Sequence, residues 1–402
     1  MRTKTADPVI RPLHVLTTYR AMTPSVRWFG TEQLRWLAKQ KMIALRAIPE
    51  GRLRAADCRW ADCVVLTRAD TPFELWLAQK LKHMGRKLLY VLDDDLEQVP
   101  EGLGCSAYYR DPVVVRLGKA VRKSCDVLVT HSPLLEEYYG TGFEKVVRIE
   151  QPAMLAKTNP EQKEQSRRKD EDVVRIGFSG SEDRAADVQK ILAAPLCELK
   201  KRYGNRVEIE FFGARPPLVD ELKLSHIPYT ASAERYYQVM AQREWDIGLA
   251  PLENTRFYQC KFYNKFVEYC TYGIAGAYAD MPPYRGTVHD GQDGILCGES
   301  EWLDQLAMLV ESPALRREIA QAARHRAQDF ELNKVSQRFW ESLGEPWTTY
   351  RAPDASLSTV LFHAARVGYT AFFIYQTLRR HGVRVFSLAW HRIERYKKGV
   401  RK

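Results

Sequence analysis

The sequence predicts an α/β protein with two halves, each a parallel sheet flanked by helices, that face one another across a cleft. Three observations lead to this fold class. At 402 residues and 45% hydrophobic composition, the chain is too long for one ordinary core and apolar enough for two. Short apolar runs alternate with helical patterns in two series, which is typical of parallel sheets with crossover helices. A polar and charged stretch at 157–172 separates the two series.

The apolar runs and the helical patterns set the expected elements. The predicted strands are 13–19, 62–68, 87–93, 126–132 and 145–150 in the first series, and 173–180, 206–213, 246–252 and 274–280 in the second. The predicted helical segments include 31–40, 72–85, 184–203, 232–243, 260–273 and patterns from about 301 to 343. We therefore expect an N-terminal domain at 1–154, a linker at 155–172, a C-terminal domain at 173–345 and a tail at 346–402.

Cysteine usage and the absence of targeting patterns bear on the compartment. The eight cysteines are scattered singly, without a Cys-x-x-Cys pair or a histidine at zinc spacing, which predicts reduced thiols. The first residues contain no apolar run long enough for a signal peptide, and no run of about 18 apolar residues indicates a membrane span. These observations favour a cytoplasmic protein.

A glycine-containing turn opens the second series. Gly180 and Ser181 lie between a predicted strand and a predicted helix. Glycine at such a turn lets backbone N–H groups approach a phosphate, and the helix N-terminus favours negative charge. Turns of this kind are also rich in Gly and Ser for structural reasons alone. Arg184, in the same segment, either reaches a phosphate or pairs with a neighbouring aspartate.

Residues 260–273, CKFYNKFVEYCTYG, carry an unusual charge pattern. In a helix, Lys261, Lys265 and Glu268 are spaced i, i+4 and i+7 and project from one stripe, with apolar residues on the other side. Two lysines one turn apart repel each other, and near a helix N-terminus they oppose the macrodipole. The pattern indicates either an anionic ligand facing the lysines or a solvated stripe with a Lys265–Glu268 pair.

The order of elements around this stretch resembles the nucleotide-sugar half of GT-B glycosyltransferases, of the retaining type related to glycosyltransferase family 4. The shared pattern is a strand ending in Ala-Pro-Leu at 250–252, a helix with a Lys and then a Glu, Gly273, another strand, and an apolar-Gly-x-x-Gly-apolar turn at 291–296. The resemblance covers 173–343 well. It extends to residues 63–96, which look like the acceptor-side domain of bacterial polysaccharide glycosyltransferases, and it implies two Rossmann-like domains facing a cleft.

The resemblance also implies roles for individual residues. Glu268 would accept hydrogen bonds from the ribose hydroxyls of the donor nucleotide. The two lysines would face the diphosphate, whose negative charge grows as the glycosidic bond breaks. Since Lys and Arg would neutralise this leaving group, we expect neither a metal ion nor a cofactor other than the donor. The implied donor site comprises Gly180, Ser181, Arg184, Lys261, Lys265 and Glu268, with Lys261 and Glu268 as the catalytic candidates.

One position departs from the family pattern. Family-4 enzymes commonly carry a second acidic residue eight positions before the ribose-binding Glu, and this chain has Cys260 there. Either Glu253 or Asn254 takes that role, or the chain uses a Lys-containing version of the motif. Two other classes stay open: a nucleotide-sugar epimerase of the same fold, which would need acid and base groups in the cleft, and, because of Cys260, a non-catalytic nucleotide-sugar-binding or scaffold protein.

Charged residues at loops and strand ends of the first half are candidates for the acceptor side. Two arginines and a serine follow the first predicted strand, where they either hold an acceptor phosphate or lie exposed on a loop. The acidic run at 93–95 resembles the Asp-x-Asp metal site of GT-A glycosyltransferases, but the basic candidates lie about 170 residues later, which favours a cleft-lining or capping role. The candidates are Arg20, Ser25, Arg27, Arg68, Asp93, Asp94 and His131.

The tail holds most of the net charge of +11, because residues 351–402 contain eight Arg and three Lys against two acidic residues. Aromatic and aliphatic residues are interleaved with these charges, and His363 and Arg366 interrupt the apolar stretch. This pattern predicts that residues 357–402 lie at a membrane interface and are attracted by anionic lipids. Packing or oligomer contact and nucleic-acid binding are the alternatives, although no recognised nucleic-acid-binding pattern accompanies the tail.

Together these patterns predict a retaining, metal-independent glycosyltransferase that uses a nucleoside-diphosphate sugar and a glycan or lipid-linked acceptor. We expect polysaccharide or cell-envelope biosynthesis, peripheral attachment to the inner face of the cell membrane, and no nucleic-acid partner.

Overall fold

The structure is a computed structural model that describes residues 11–153 and 173–381. It contains two six-stranded sheets in which all neighbouring strands are parallel, and helices flank each sheet. These two Rossmann-like domains confirm the predicted α/β fold class. The predicted linker at 155–172 lies outside the described residues. All eight cysteines are free thiols.

The first sheet has the strand order β2-β1-β3-β4-β5-β6. Its strands are β1 (Leu13–Tyr19), β2 (Ile43–Pro49), β3 (Cys63–Thr67), β4 (Lys87–Val91), β5 (Val127–Thr130) and β6 (Lys145–Arg148). Its helices are α1 (Pro24–Gly30), α2 (Glu32–Lys39), α3 (Ala55–Trp60), α4 (Pro72–His83), α5 (Ser106–Tyr109), α6 (Pro112–Ser124) and α7 (Pro133–Tyr139). Strand β3 is buried along its whole length, which explains its unbroken apolar sequence.

The second sheet has the order β12-β11-β10-β7-β8-β9. Its strands are β7 (Val174–Gly180), β8 (Val207–Gly213), β9 (Ser225–Pro228), β10 (Ile247–Ala250), β11 (Ala275–Ala279) and β12 (Ile295–Cys297). The helices from here to the end of the description are α8 (Ala185–Tyr203), α9 (Leu218–Glu221), α10 (Ala233–Ala241), α11 (Arg256–Gln259), α12 (Asn264–Tyr272), α13 (Pro282–Arg285), α14 (Trp302–Glu311), α15 (Pro313–Ala327), α16 (Leu332–Leu343) and α17 (Thr359–His381).

Every strand predicted from the sequence is present, but three strands were missed. These are β2, β9 and β12, and each lies at the edge of its sheet. An edge strand has fewer buried neighbours, so its sequence need not form an apolar run. Strand β2 contains Arg46 and is mostly half-buried, whereas β12 has only three residues.

The chain crosses between the domains near residue 330 and ends on the first one. Helix α16, which falls inside the predicted C-terminal domain, packs against α2 and β6 of the first sheet. Where the chain crosses, the Ala153 N–H donates to the Phe330 carbonyl at 2.7 Å, and Arg338 pairs with Glu150. Helix α17 then packs against α4. Among the described residues, no helix has both the length and the apolar character needed to cross a bilayer.

The helix predicted at 260–273 is shorter than expected. Helix α12 begins only at Asn264, so Lys261 lies before the helix and the expected single stripe of Lys261, Lys265 and Glu268 is wrong. The break between α11 and α12 lets Phe262 leave the helix surface and pack against Phe29 of the first domain, with ring centroids 5.4 Å apart. Only Lys265 and Glu268 share a helix face.

Gly177 in β7 is required by the packing of the second core, because a Cβ there would lie 1.8 Å from the indole ring of Trp245. We expect Gly177→Ala to lower the free energy of unfolding by about 1–3 kcal/mol, as overpacking a core does. Urea unfolding of the variant measures this loss. Gly286→Ala is the matched control, because a Cβ at Gly286 meets nothing within 4 Å. Equal losses in the two variants would contradict the prediction.

Candidate active site

A cavity of about 790 Å³ lies between the two domains at the carboxyl ends of their strands. Ligands of open α/β sheets bind at this edge. Residues from both domains line the cavity, including Trp28 from the first and Tyr258 from the second. Of the candidates named from the sequence, those on its wall are Arg27, Arg68, Asp94, Gly180, Ser181, Arg184, Lys261, Lys265 and Glu268. Arg20, Ser25, Asp93 and His131 are not among the residues that line it.

Two glycines form the floor of the cavity where β7 and β8 end side by side. Gly180 pairs with Gly213, and both line the cavity. Gly213 has a φ of +91°, and a Cβ there would lie 2.0 Å from the Gly180 carbonyl oxygen. A side chain at Gly213 would therefore displace the end of β7. The two strand ends thus offer bare backbone at the point where the second domain faces the cavity.

Lys265 and Glu268 are part of one hydrogen-bonded network on the second-domain wall. The Lys265 ammonium group lies 2.6 Å from Glu268 Oε2, 2.6 Å from Ser179 Oγ and 3.0 Å from the Tyr236 hydroxyl. The Tyr236 hydroxyl also donates to Glu268 Oε1. Burial, and then the Glu268 carboxylate, raise the pKa of the Tyr236 phenol well above its ordinary value, so it stays a donor. Lys265 is therefore paired even when the cavity is empty.

Lys261 also lines the cavity and connects the two domains. Its ammonium group is 2.8 Å from Asp94 Oδ1 of the first domain. Asp94 Oδ2 in turn accepts from Arg68 at 2.5 Å, and Arg68 also holds Asp93 in a two-pronged contact. The expected repulsion between Lys261 and Lys265 is relieved within the protein, because each lysine has its own carboxylate partner.

Asp93 is a buried support for this chain of charges rather than part of the cavity wall. Burial alone would raise the pKa of the Asp93 carboxyl, but the charge of Arg68 and its hydrogen bonds lower it below its ordinary value. Ser25 also hydrogen-bonds to Asp93. Arg68 has a φ of +51°, a left-handed backbone that a non-glycine residue rarely adopts. Such strain is typical of functional sites and turns, and here it aims the guanidinium at both carboxylates.

His131 is held in the contact between the domains. Its Nε2 lies 2.7 Å from the Asp93 carbonyl, and its ring packs against Phe29 and Phe262 at centroid distances of 5.5 and 5.0 Å. Burial lowers the pKa of His131, so the ring is neutral near pH 7. The ring does not line the cavity and is held in an aromatic contact, which agrees with a structural role.

The two arginines of the first loop differ in their surroundings. Arg20 lies 2.9 Å from Asp70 and 2.7 Å from the Tyr108 hydroxyl, and it does not line the cavity. Arg27 lines the cavity, stacks on the Trp28 ring at 4.9 Å and reaches Glu234 of the second domain at 3.2 Å. Of the two, Arg27 alone faces the cavity.

Arg184 lines the cavity beside the glycine turn. Its guanidinium pairs with Asp187 at 3.1 Å, donates to the Pro251 carbonyl at 2.7 Å and lies over the Tyr258 ring. The predicted pairing of Arg184 with a neighbouring aspartate is therefore present, and Arg184 also lies on the cavity wall.

The position of the missing acid is buried away from the cavity. Cys260 has no exposed surface, and burial raises the pKa of its thiol to about 12. Neither proposed substitute, Glu253 or Asn254, lines the cavity, and Glu253 pairs with exposed Lys190 at 2.6 Å. The carboxylate of the first domain on the cavity wall is Asp94. Within the described ranges, no three His, Cys, Asp or Glu residues are arranged to hold a metal ion.

The sequence analysis missed one wall of the cavity. The loop after β9 and the start of α10 contribute residues with an aromatic character, among them Tyr229, Tyr236 and Tyr237, together with Phe212 at the end of β8. Tyr229 is half exposed. The adjacent tyrosines at 236–237 in a predicted helix were the available sign of this wall. The sequence of the helix alone does not show which of the two rings faces the cavity.

No family model matches the chain, and no curated protein sequence does. The fold is similar to several solved structures. HepE from Anabaena, solved in complex with UDP and glucose, is 16% identical, with a TM-score of 0.56 over 82% of this chain and 99% of that one. Sucrose-phosphate synthase from Thermosynechococcus elongatus is 11% identical, with a TM-score of 0.58 over 82% and 98%. A protein described as a UDP-N-acetylglucosamine 2-epimerase from Listeria monocytogenes is 10% identical, with a TM-score of 0.51 over 86% and 100%.

These comparisons establish the architecture. The chain has the GT-B fold, with two Rossmann-like domains that match those of the similar structures over most of their length. At these identities the likeness concerns the fold, because one fold serves several chemistries. The activity of this chain therefore has to be argued from its own cavity.

A cluster of buried carboxyl groups lies near the carboxyl ends of β2 and β3. Glu50, Asp70 and Glu74 are each at least nine-tenths buried, and both oxygens of Glu50 lack a hydrogen-bond partner within the described part of the chain. Burial, and then the charge of Glu74, raise the pKa of Glu50 to about 9, although Arg20 and Arg366 act in the opposite direction. Glu50 is therefore protonated at neutral pH.

This proton makes stability depend on pH. An unfolded chain loses the Glu50 proton near pH 4.5, whereas the folded chain keeps it to about 9, so the free energy of unfolding falls as pH rises between these values. The slope from this group is at most about 1.4 kcal/mol per pH unit. We expect Glu50→Gln to remove this contribution, so that its stability gain over the native chain grows from pH 5 to pH 8 in urea unfolding. A gain that does not change with pH would contradict the assignment.

Proposed function

We propose that this chain is a glycosyltransferase that moves a sugar from a nucleoside-diphosphate sugar to a glycan or lipid-linked acceptor, with retention of the anomeric configuration and without a metal ion. The observation that supports this most is the second-domain wall of the cavity. There the bare backbone of Gly180 and Gly213 lines the same cavity as the cationic groups of Arg184, Lys261 and Lys265. Backbone N–H groups and cations together suit the diphosphate of the donor.

Glu268 keeps the capacity to bind a ribose although it is already paired. Each of its oxygens accepts one hydrogen bond, from Tyr236 on one side and Lys265 on the other. A carboxylate has about four acceptor positions, so one remains on each oxygen for a ribose hydroxyl. The network also fixes the orientation of the carboxylate before the donor arrives, which reduces the entropy lost on binding. Tyr229 or Tyr237 would then contact the nucleobase.

Asp94 is our candidate for the role that the acid missing at Cys260 has in similar enzymes. In the empty site, Lys261 and Arg68 neutralise the Asp94 carboxylate. A donor diphosphate would draw Lys261 away, and one Asp94 oxygen would then be free to accept a hydrogen bond from a hydroxyl of the transferred sugar or of the acceptor. Lys261 would stabilise the leaving diphosphate, and that diphosphate would receive the proton of the attacking acceptor hydroxyl on the same face.

An epimerase of the same fold is the second candidate, since one similar structure carries that description. Such chemistry needs acid and base groups around the sugar. No histidine lines the cavity among the residues that the structure describes, and the carboxylates there are Asp94, Asp183, Glu234 and Glu268. Two of these are held in strong pairs on opposite walls. This composition favours transfer over epimerisation.

Donor binding tests the second-domain wall. We expect Lys261→Ala and Glu268→Gln each to weaken binding of UDP-sugars about 10- to 100-fold, the value of one hydrogen bond to a charged group. Isothermal titration with a panel of nucleoside diphosphates and their sugars measures the change. Lys190→Ala is the control, because Lys190 is exposed and does not line the cavity. Unchanged affinity in both cavity variants would remove the assignment.

Turnover tests the role of Asp94. We expect Asp94→Asn to lower kcat about 10- to 100-fold while donor affinity stays equal or rises, because Lys261 loses its competing partner. Glu253→Gln makes the same chemical change outside the cavity and should leave both quantities unaltered. A variant that loses donor affinity and kcat in parallel would assign Asp94 to donor binding instead.

One assay distinguishes sugar transfer from epimerisation and from binding without turnover. The protein is incubated with nucleotide sugars, with and without membrane lipid extract, and released nucleoside diphosphate is measured. Release that requires the extract supports transfer to a lipid-linked acceptor at a membrane surface. Interconversion of the sugar without release indicates the epimerase, and bound but unchanged donor indicates a binding or scaffold protein.

A further inference from the structure

The solvent-facing side of helix α17 is apolar along almost its whole length. Val360, Val367 and Ile374 are 77%, 70% and 53% exposed. With the exposed residues Ala364, Ala371 and Leu378 they recur at intervals of four and three positions, which places them on one side of an α-helix. We call these six residues the outer stripe. It extends for about 27 Å at 1.5 Å per residue.

The opposite side of α17 holds the helix firmly on the first domain. Phe362 packs edge-on against Phe73 at 5.6 Å, and Arg366 donates to the Glu50 carbonyl. Near the other end, Gln376 donates to Asp111 at 3.0 Å and Arg379 pairs with the same carboxylate. Because contacts fix the helix near both ends, the outer stripe cannot rotate inward to join the core.

We infer that the outer stripe is a membrane-docking surface that lies in the interface of an anionic bilayer. A single exposed apolar residue needs no explanation, but a continuous apolar face on a fixed helix marks an interaction surface. The helix lies parallel to the domain surface and is not one that crosses a bilayer, so contact along its side is the geometry that fits.

Charge identifies the lipid surface as the occupant. From Thr359 to the chain end the sequence contains one acidic residue, Glu394, whereas residues 382–402 alone contain seven Lys or Arg. Those residues lie outside the described part of the chain and continue directly from the stripe. Each basic residue near an anionic surface adds attraction, so the apolar face and the basic segment after it favour the same partner.

A second copy of the chain is the competing occupant, because intervals of four and three residues also form the seam of a coiled coil. Coiled-coil seams are narrow and flanked by charged residues that select the partner. Here one flank contains Leu361, Gly368 and Tyr375, which are exposed and uncharged, and ends at Arg379, which is already paired with Asp111 of the first domain. The apolar sector is therefore wider than such a seam, and the charge at the end of this flank has its partner within the chain, which favours lipid.

The position of the stripe suits the proposed reaction. Asp111, which holds the end of α17, lies two residues beyond Tyr109, and Tyr109 lines the cavity between the domains. A bilayer against the stripe would lie beside the acceptor side of the cavity. This last step rests on the proposed function, whereas membrane docking itself does not.

The test uses the full chain and sedimentation with vesicles of pure phosphatidylcholine or of phosphatidylcholine with phosphatidylglycerol. We expect the native protein to bind the anionic vesicles more tightly, and less tightly as salt rises. Val367→Glu and Ile374→Glu together should lower the partition coefficient at least about tenfold, since they remove apolar contact and add like charge. The control is Met308→Glu, an exposed apolar residue of α14 on the second domain, which should bind as the native chain does.

Other outcomes overturn the inference. Equal vesicle binding by the native chain and the double variant would assign docking elsewhere. A native dimer that the double variant converts to a monomer in analytical ultracentrifugation, without vesicle binding, would assign the stripe to a second copy. A native monomer that ignores both vesicle types would mean that residues 382–402 cover the stripe or that it has no partner. Donor titration on the same proteins separates a failure of docking from a failure of the proposed activity.

Discussion

The ion pair between Lys261 and Asp94 joins the two domains at the cavity wall, and much of the site depends on it. The pair joins the domains at the base of the cleft and leaves the cationic wall electrically satisfied without a ligand. Its geometry requires the break between α11 and α12, because a continuous helix would direct Lys261 along the same stripe as Lys265. The break removes the backbone hydrogen bonds of one helical turn, and it allows Phe262 to pack against His131.

Under the proposed function, an anionic ligand would replace the carboxylate partners of Lys261 and Lys265. An anion entering the cavity meets lysines that already have carboxylates, so its binding energy must exceed what those pairs contribute. Desolvation offsets much of the attraction within such pairs, but removing one partner alone leaves a costly unpaired charge. A diphosphate carries enough charge for the exchange, whereas a singly charged ligand would compete poorly. Under the proposed function, the pairs would favour polyanions over singly charged ligands.

The sequence was sufficient for the architecture and for nine residues of the cavity wall, and the limits have physical causes. Parallel strands buried on both faces have unmistakable apolar runs, and the edge strands β2, β9 and β12 do not. Gly180 and Arg184 could be placed near the cavity because they follow a strand end. The pairing of Lys261 with Asp94 could not, since it joins residues far apart in sequence across two domains. The start of α12 could not be predicted either, because helix propensity does not include the tertiary contacts of Phe262.

The backbone hydrogen bond between Ala153 and Phe330 lies where the chain passes between the domains. The two passages of the chain between the domains are tied to each other at one place, where Arg338 and Glu150 also meet. If the two passages joined the domains at widely separated points, they would restrict rotation of one domain relative to the other. Two passages that lie together restrict this rotation less and form one hinge. We expect any opening of the cleft to pivot near residues 153 and 330, and such a motion would have to break the contact between Arg27 and Glu234.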